Sequence, residues 1–312
     1  MKTSVLPAPS AAVLGAQEIG GLAAFLGVFG GQPRRLPALS AEAAGQLYGI
    51  DAPLEQVLIE EPGSAGTLRL VRTPNAAVPF QPLQEGPYGV DYYSRDIELS
   101  LSMLRAAGGS TTSRLVGYSG DPAFHTPEET GHITHELMVV GPEELRLFLT
   151  DVRRTTNPWP TLLSTDSART HSELLQVVWV VADIEAELAF WRDEVGMIVV
   201  LDEIPELEEM QDLMFTPRSS PLRCVHVTDA VGHHKIELLS YPDETLVPYP
   251  HGEIRGGLHS VAFDVHDLEA TLRLLPSATF GPVVTADQGR GPQRVVSALS
   301  PSGSVRFELW EV

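Results

Sequence analysis

One short phrase of sequence occurs four times in this chain, and it constrains the fold more than any other feature. The phrase is an acidic residue followed by an amphipathic helical stretch that ends near a glycine, as in DIEAELAFWRDEVG. The copies begin at Glu18, Asp96, Asp183 and Asp267. An acidic residue favours a helix start because it interacts with the positive end of the helix dipole. The repeat indicates a chain built of four similar modules.

Each helical phrase follows an apolar run typical of a strand, and further strand-like segments come after it. In the third copy LLQVVWVVA precedes the helix and HHKIELLSYP closes the module, and in the fourth these segments are GLHSVAFDVH and SPSGSVRFELWEV. Their β-branched content and alternation favour strands. The pattern therefore predicts an α+β fold of four βαβββ modules. Because a single module leaves one sheet face uncovered, we expect the modules to form two paired, curved mixed-sheet domains.

The polar, proline-bearing stretch from Arg153 to Glu173 separates the second copy from the third and is expected to be a linker. It divides the chain into an N-terminal pair of modules in residues 1–152 and a C-terminal pair in residues 174–312.

Composition and charge limit the partners. A formal net charge of −20 would repel phosphate groups, so neither nucleic acid nor an anionic membrane is an expected partner. The longest apolar window, Ile19 to Gly31, is too short to span a bilayer. Prolines in the opening LPAP interrupt a secretory signal, so we expect a cytoplasmic location. With Cys224 as the single cysteine there is no disulfide framework or thiolate metal cluster, and RCVHVTD is typical of a strand.

The modules resemble the vicinal oxygen chelate superfamily, which includes glyoxalase I, methylmalonyl-CoA epimerase, extradiol dioxygenases and bleomycin-resistance proteins. The resemblance covers nearly the whole chain and is strongest from about Leu174 to Val312. In that superfamily two βαβββ modules close around a cavity that holds a divalent metal. The metal ligands come from the first and last strands of each module.

Strand alternation identifies the residues of the C-terminal modules that stand at those positions. Gln176 and Glu237 lie on the first and last strands of the third copy, and Glu308 lies on the last strand of the fourth. On the first strand of the fourth copy, alternation turns Ser260 into the cavity, and only a β-bulge would turn His259 inward. The resemblance thus implies a metal site of Gln176, Glu237 and Glu308, with or without His259. Zinc, nickel, manganese and Fe(II) are the candidate ions, and a metal-free protein is the alternative.

In the first two copies the same positions hold residues that cannot bind a cation: Ala11, Arg69, Gly89 and Phe148. We therefore expect the N-terminal pair to be structural and the C-terminal pair to hold the active cavity. The histidines of FHTPEETGHITHE, which are His125, His132 and His135, match no ligand position of the superfamily and are expected in a loop and an edge strand.

The expected chemistry is proton transfer by two buried carboxylates, with Glu308 as the general base and Glu237 as its counterpart. This predicts a glyoxalase-like isomerase or lyase acting on a small oxygenated compound, with aromatic compounds among the candidates. The residues expected to bind the substrate are Ser260 and Trp310 in the cavity and Arg290 and Arg294 in the GRGPQR loop.

Two other functions stay open. An extradiol-type ring-cleavage dioxygenase with altered ligands is favoured by the SPSG turn from Ser300 to Gly303. Against it, Gln176 replaces the first histidine of those enzymes and Ser297 replaces their acid–base tyrosine. A resistance protein that sequesters a small molecule would need the cavity but no metal-binding residues. In every case the partner is a small molecule, and a homodimer is compatible with the fold.

Overall fold

The computed structural model of the protein describes residues 4–61, 63–64, 66–119, 133–156, 158–204, 207–216, 220–229 and 234–312. Module one comprises β1 (Ala11–Ala16), α1 (Ile19–Leu26), β2 (Gln32–Arg35), α2 (Ala41–Tyr48), β3 (Gln56–Glu60) and β4 (Thr67–Arg72). Module two comprises β5 (Gly86–Ser94), α3 (Ile97–Ala106), β6 (Ser110–Thr111), β7 (Val116–Ser119), β8 (Ile133–Val140) and β9 (Arg146–Asp151).

The short helix α4 (Leu162–Thr165) follows module two. Module three comprises β10 (Gln176–Val180), α5 (Ile184–Leu188), β11 (Ile198–Glu203), α6 (Leu207–Met214), β12 (Arg223–Thr228) and β13 (Lys235–Ser240). Module four comprises β14 (Gly257–Val265), α7 (Leu268–Leu274), β15 (Thr279–Phe280), β16 (Val284–Asp287), β17 (Pro292–Leu299) and β18 (Arg306–Glu311). As predicted, each of the four acidic residues is followed by a helix that comes directly after a strand.

Three of these acidic residues are helix caps. The side chains of Asp96, Asp183 and Asp267 accept hydrogen bonds from the backbone N–H three residues later, at 3.1, 2.9 and 2.8 Å. Glu18 makes no such bond, and its backbone N–H donates instead to Glu143 at 2.9 Å. The repeated acidic residue thus has a local physical role in three copies.

The described strands form two nine-stranded mixed sheets. Sheet I has the order β15-β17-β18-β14-β1-β4-β3-β2, with β16 against β17. Sheet II has the order β11-β12-β13-β10-β5-β9-β8-β6, with β7 against β8. Within each module the first strand lies parallel to the last, as in β1 with β4 and β10 with β13. This confirms the α+β fold of paired βαβββ modules.

The strand order corrects the expected partners of the modules. Sheet I joins module one to module four through antiparallel β1 and β14, and sheet II joins module two to module three through antiparallel β5 and β10. The sheets therefore do not follow the expected division into residues 1–152 and 174–312. The reason is that all four first strands offer the same kind of apolar edge, so the repeat does not specify which two edges pair.

The largest hydrophobic core lies on the helix side of both sheets, which we call the helix face. It includes Phe25 of α1, Leu104 of α3 and Leu268 of α7. It also contains the outward residues predicted by strand alternation: Val177, Trp179, Val181, Ile236, Leu238, Val261, Phe263, Val265, Phe307 and Leu309. The opposite side, which we call the cavity face, is left for the functional residues. None of the described helices is both long enough and apolar enough to cross a membrane.

Two contacts tie the sheets together through this core. The ring of Trp191 from module three lies 5.6 Å from that of Phe307 in module four. The buried carboxylate of Glu187 accepts hydrogen bonds from Trp191 Nε1 at 2.7 Å and from Ser300 Oγ at 2.6 Å. The two sheets are therefore packed against each other rather than joined only by a flexible linker.

Candidate functional site

The cavity face of sheet I is filled. Helix α2 covers it and packs Ala44, Leu47 and Tyr48 against Val13 and Trp310 in one buried cluster. The alanines of α2 let the helix lie close to the strands. This face therefore forms a second core.

Glu308 lies in this second core, and all its acceptor capacity is in use. Oε1 accepts hydrogen bonds from Tyr48 at 2.9 Å and from Ser260 at 2.8 Å. Oε2 accepts one from Trp310 Nε1 at 2.9 Å and forms an ion pair with Arg69. The predicted inward orientation of Glu308, Ser260 and Trp310 is confirmed, but what they face is protein. A carboxylate that is fully bonded and buried has no free lone pair for a substrate or a metal ion.

His259 stands at a β-bulge beside this core. The register between β1 and β14 shifts so that Val13 pairs with Ser260 and Leu14 pairs with Leu258, which leaves His259 as the extra residue. Its ring contacts that of Tyr48 with centroids 5.6 Å apart, and its Nε2 has no hydrogen-bond partner among the described residues. Burial holds the pKa of His259 well below its ordinary value, and the positive charge of Arg306 adds to that effect.

The two arginines expected to bind substrate are paired on the protein surface. Arg290 forms an ion pair with Asp264 at 2.5 Å, and Arg294 forms ion pairs with Glu269 at 2.5 Å and Glu311 at 3.4 Å. Neither arginine lines the cavity of sheet II. Their charges are satisfied by neighbouring carboxylates.

Sheet II, by contrast, keeps a cavity of about 50 Å³ on its cavity face. Modules two and three form its walls, and α6 contributes Met210 and Met214. Its polar lining residues are Asp91, Tyr93, Tyr118, Thr134, Glu136, Gln176, Glu203, Cys224, His226 and Glu237. The cavity thus lies between the second and third modules, not within the expected C-terminal pair.

Two of the four residues in the implied ligand set meet here. Gln176 and Glu237 both line the cavity, and Gln176 Nε2 donates to Glu237 Oε2 at 2.6 Å. His259 and Glu308 belong to the other sheet, so the four-ligand set implied by the resemblance is not assembled. The matching positions of module two offer no ligand either. Phe148 presents an aromatic ring, which has no ligand atom. Gly89 has no side chain, and there is no space for one, since a Cβ there would lie 2.7 Å from the carbonyl oxygen of Arg146.

Cys224 and His226 complete a cluster that the sequence analysis did not assign to the site. Both lie on β12, and antiparallel pairing with β13 places His226 directly opposite Glu237. Cys224 Sγ lies 3.4 Å from His226 Nε2 and donates to Glu237 Oε1 at 3.3 Å. Burial raises the pKa of the Cys224 thiol well above its ordinary value. The alternation of Cys224 and His226 with Val225 and Val227 was the available signal, because it puts both polar residues on one face.

The opposite wall carries two more buried carboxyl groups. Glu136 accepts hydrogen bonds from Thr150 Oγ1 at 2.6 Å and from the Tyr118 hydroxyl at 2.8 Å. Burial raises the pKa of Glu136 to about 7, and the nearby charge of Glu237 contributes to the rise. Burial also raises the pKa of Asp91 well above its ordinary value, and the charges of Glu136 and Glu237 add to the rise.

His135 is the one histidine of the FHTPEETGHITHE segment among the described residues, and it does not line the cavity. His135 lies on β8, and its backbone N–H bonds to Thr155 Oγ1 at 3.0 Å. His125 and His132 lie outside the described residues.

Solved structures share this architecture. Glyoxalase I from Zea mays superimposes with a TM-score of 0.62 over 97% of this chain and 92% of that chain, at 14% sequence identity. A putative dioxygenase from Bacillus subtilis subsp. subtilis str. 168 superimposes with a TM-score of 0.58 over 100% of this chain and 86% of that chain, at 13% identity. No protein-family model matches the sequence. No curated protein matches it either.

The protein has the glyoxalase-like fold of these structures in a four-module form, with one filled sheet and one sheet that keeps a cavity.

Proposed function

We propose that the protein is a glyoxalase-like isomerase or lyase that transfers a proton on a small oxygenated compound in the cavity of sheet II. The observation that carries this proposal is the buried carboxyl group of Glu136, held by Thr150 and Tyr118 on the cavity wall. Its pKa of about 7 suits a general base, since the carboxylate and the carboxylic acid are both populated near neutral pH.

In the proposed reaction, Glu136 removes a proton from a carbon next to a carbonyl group. The resulting carboxylic acid exchanges its proton with solvent and delivers one to the former carbonyl carbon. The hydroxyl proton of the first carbon passes to the former carbonyl oxygen, so no other reactant is consumed. Tyr118 and Thr150 fix the orientation of the carboxyl group while it changes charge. A divalent ion bound beside Glu237 would supply Lewis-acid polarisation of the carbonyl.

The cavity limits the size of the substrate. Its volume of about 50 Å³ is room for a few water molecules at roughly 10–15 Å³ each, whereas drug-sized ligands occupy pockets of roughly 300–1,000 Å³. Unless α6 moves away, only a compound of a few heavy atoms fits. Methionine side chains adapt easily to a ligand, and Met210 and Met214 of α6 line the cavity.

Hydrogen exchange tests this proposal directly. A panel of small hydroxyaldehydes, hydroxyketones and hemithioacetals in D₂O is followed by proton NMR for loss of the carbon-bound hydrogen. We expect exchange with the wild-type protein and a loss of about 10²–10⁴-fold in Glu136→Gln. Glu42→Gln, at an exposed position on α2, is the control and keeps the wild-type rate. Exchange that survives in Glu136→Gln would assign the base to another residue.

A second candidate is a protein that sequesters a small molecule without changing it. The apolar part of the cavity lining, which includes Phe148, Leu201 and Met210, favours this alternative. The same NMR panel separates the two functions. Sequestration gives line broadening or shifts of a bound compound with no exchange and no product.

A further inference from the structure

The cluster of Cys224, His226 and Glu237 has the geometry of a metal site. The three residues lie on a single hairpin, β12 with β13, and all are buried. Their ligand atoms lie within 4.8 Å of one another. They differ from the positions implied by the family resemblance, because Cys224 and His226 occupy neither the first nor the last strand of module three.

The separations match those of ligands around one small ion. Sγ of Cys224 lies 3.4 Å from His226 Nε2 and 3.3 Å from Glu237 Oε1, and His226 Nε2 lies 3.7 Å from Glu237 Oε2. With bond lengths of about 2.0–2.3 Å, tetrahedral ligands of zinc lie about 3.3–3.8 Å apart. The side chains therefore need only small rotations to share an ion.

The surroundings of the cluster agree with this arrangement. Gln176 Nε2 donates to Glu237 Oε2 at 2.6 Å and so orients the carboxylate, as neighbours of metal ligands commonly do. The Nδ1 atom of His226 is buried without a hydrogen-bond partner among the described residues, so no other protein contact fixes which ring nitrogen carries the proton. The cavity adjoins all three side chains and leaves room for a water molecule or substrate oxygen at a fourth position.

We infer that Cys224, His226 and Glu237 bind one borderline-soft divalent ion of the zinc type, with Gln176 as a positioning residue. Thiolate and imidazole ligands together favour zinc over magnesium, calcium or manganese. When the ion binds, the thiol proton is released to solvent and the sulfur becomes a thiolate ligand. This site does not depend on the proposed proton transfer, because binding is measured without turnover.

Cobalt(II) provides a specific probe because Cys224 is the single cysteine of the chain. Any thiolate-to-cobalt charge-transfer band in the near ultraviolet must therefore come from Cys224. We expect one equivalent of Co²⁺ to give this band in the wild-type protein and one equivalent of Zn²⁺ to remove it. Binding without the band would overturn the assignment, and so would the absence of stoichiometric binding of either ion to the folded protein.

Variants test the ligands Cys224 and His226 and the positioning residue Gln176. Cys224→Ser, Cys224→Ala and His226→Asn, each checked for folding by circular dichroism, should lose Zn²⁺ affinity by more than 100-fold in chelator competition. Gln176→Leu should weaken binding by about 10–100-fold. The matched control is His259→Asn, which replaces another buried histidine but in sheet I, and it should bind like the wild type. Full retention of Zn²⁺ by folded Cys224 and His226 variants, or its loss in His259→Asn, would contradict this site.

Discussion

Arg69 and Glu308, which lie on β4 and β18 of different modules, form an ion pair that is closed to solvent. The exposed fractions of their side chains are 0% and 1%. The guanidinium group of Arg69 also lies over the ring of Trp310, 4.5 Å from its centroid. The carboxylate at the closing-strand position of module four is therefore part of the packing of sheet I, whereas its counterpart Glu237 lines a cavity.

Replacing one partner of this pair should destabilise the protein without acting on a catalytic step. Glu308→Ala and Arg69→Ala should each lower the free energy of unfolding by about 3–5 kcal/mol, because each leaves the charge of the other partner buried and unpaired. The double variant Arg69→Met/Glu308→Leu should be more stable than either single variant. Urea unfolding measures all three. Loss of turnover by Glu308→Ala with unchanged stability would instead place the active site in sheet I.

Each acidic residue at a helix start should contribute to the stability of the protein only where its side chain makes a cap hydrogen bond. Asp267→Ala removes a bond to Ala270 N and should cost about 1 kcal/mol. Glu18→Ala removes no cap bond and should change stability by less than about 0.5 kcal/mol. Thermal unfolding of the two variants side by side checks the difference. Equal losses would mean that the acidic residue acts through the helix dipole alone.

Stability should fall as pH rises from about 4.5 to about 7, because buried carboxyl groups favour the protonated form. Burial raises the pKa of Glu61 from its ordinary value of 4.5 to about 7, although it accepts hydrogen bonds from Tyr92 and Leu174. In this window the folded protein keeps a proton that the unfolded chain has released. Each such group contributes on the order of 1–3 kcal/mol. Urea unfolding at several pH values should show a shallower fall in Glu61→Gln than in wild type or Glu42→Gln.

The pH dependence of hydrogen exchange should identify Glu136. If it acts as the base, the rate depends on its carboxylate form and rises with pH to a plateau above about 7. Tyr118→Phe removes one hydrogen bond to the carboxylate, which should raise its pKa and move the midpoint to higher pH. A midpoint that stays fixed in Tyr118→Phe would argue that another group titrates.

Ring cleavage of catechols is not expected. An Fe(II) site that activates oxygen needs two imidazoles and a carboxylate, and among the described residues lining the cavity His226 is the only imidazole. Oxygen-electrode measurements on Fe(II)-loaded protein with catechol should therefore show no uptake above the protein-free rate. Uptake together with a coloured ring-cleavage product would restore the dioxygenase alternative.

Much of the fold follows from local pattern. The four acidic helix starts, the strands before them and the faces of Gln176, Glu237 and Glu308 were all predicted, because helix and strand periodicities are written in neighbouring residues. Strand alternation also predicted that Ser260 faces the cavity side, where it donates to Glu308, although it left open whether a bulge occurs at His259.

The sequence by itself determined the four modules and which residues on the first and last strands of the C-terminal modules point away from the helices. Only the tertiary structure decided which modules pair, which cavity face α2 fills, and that Cys224, His226 and Glu136 meet near Glu237. The physical reason is that similar modules carry similar edges. Which strand edges pair depends on packing between residues far apart in the chain. The periodicity within one module depends only on neighbouring residues and therefore cannot predict that pairing.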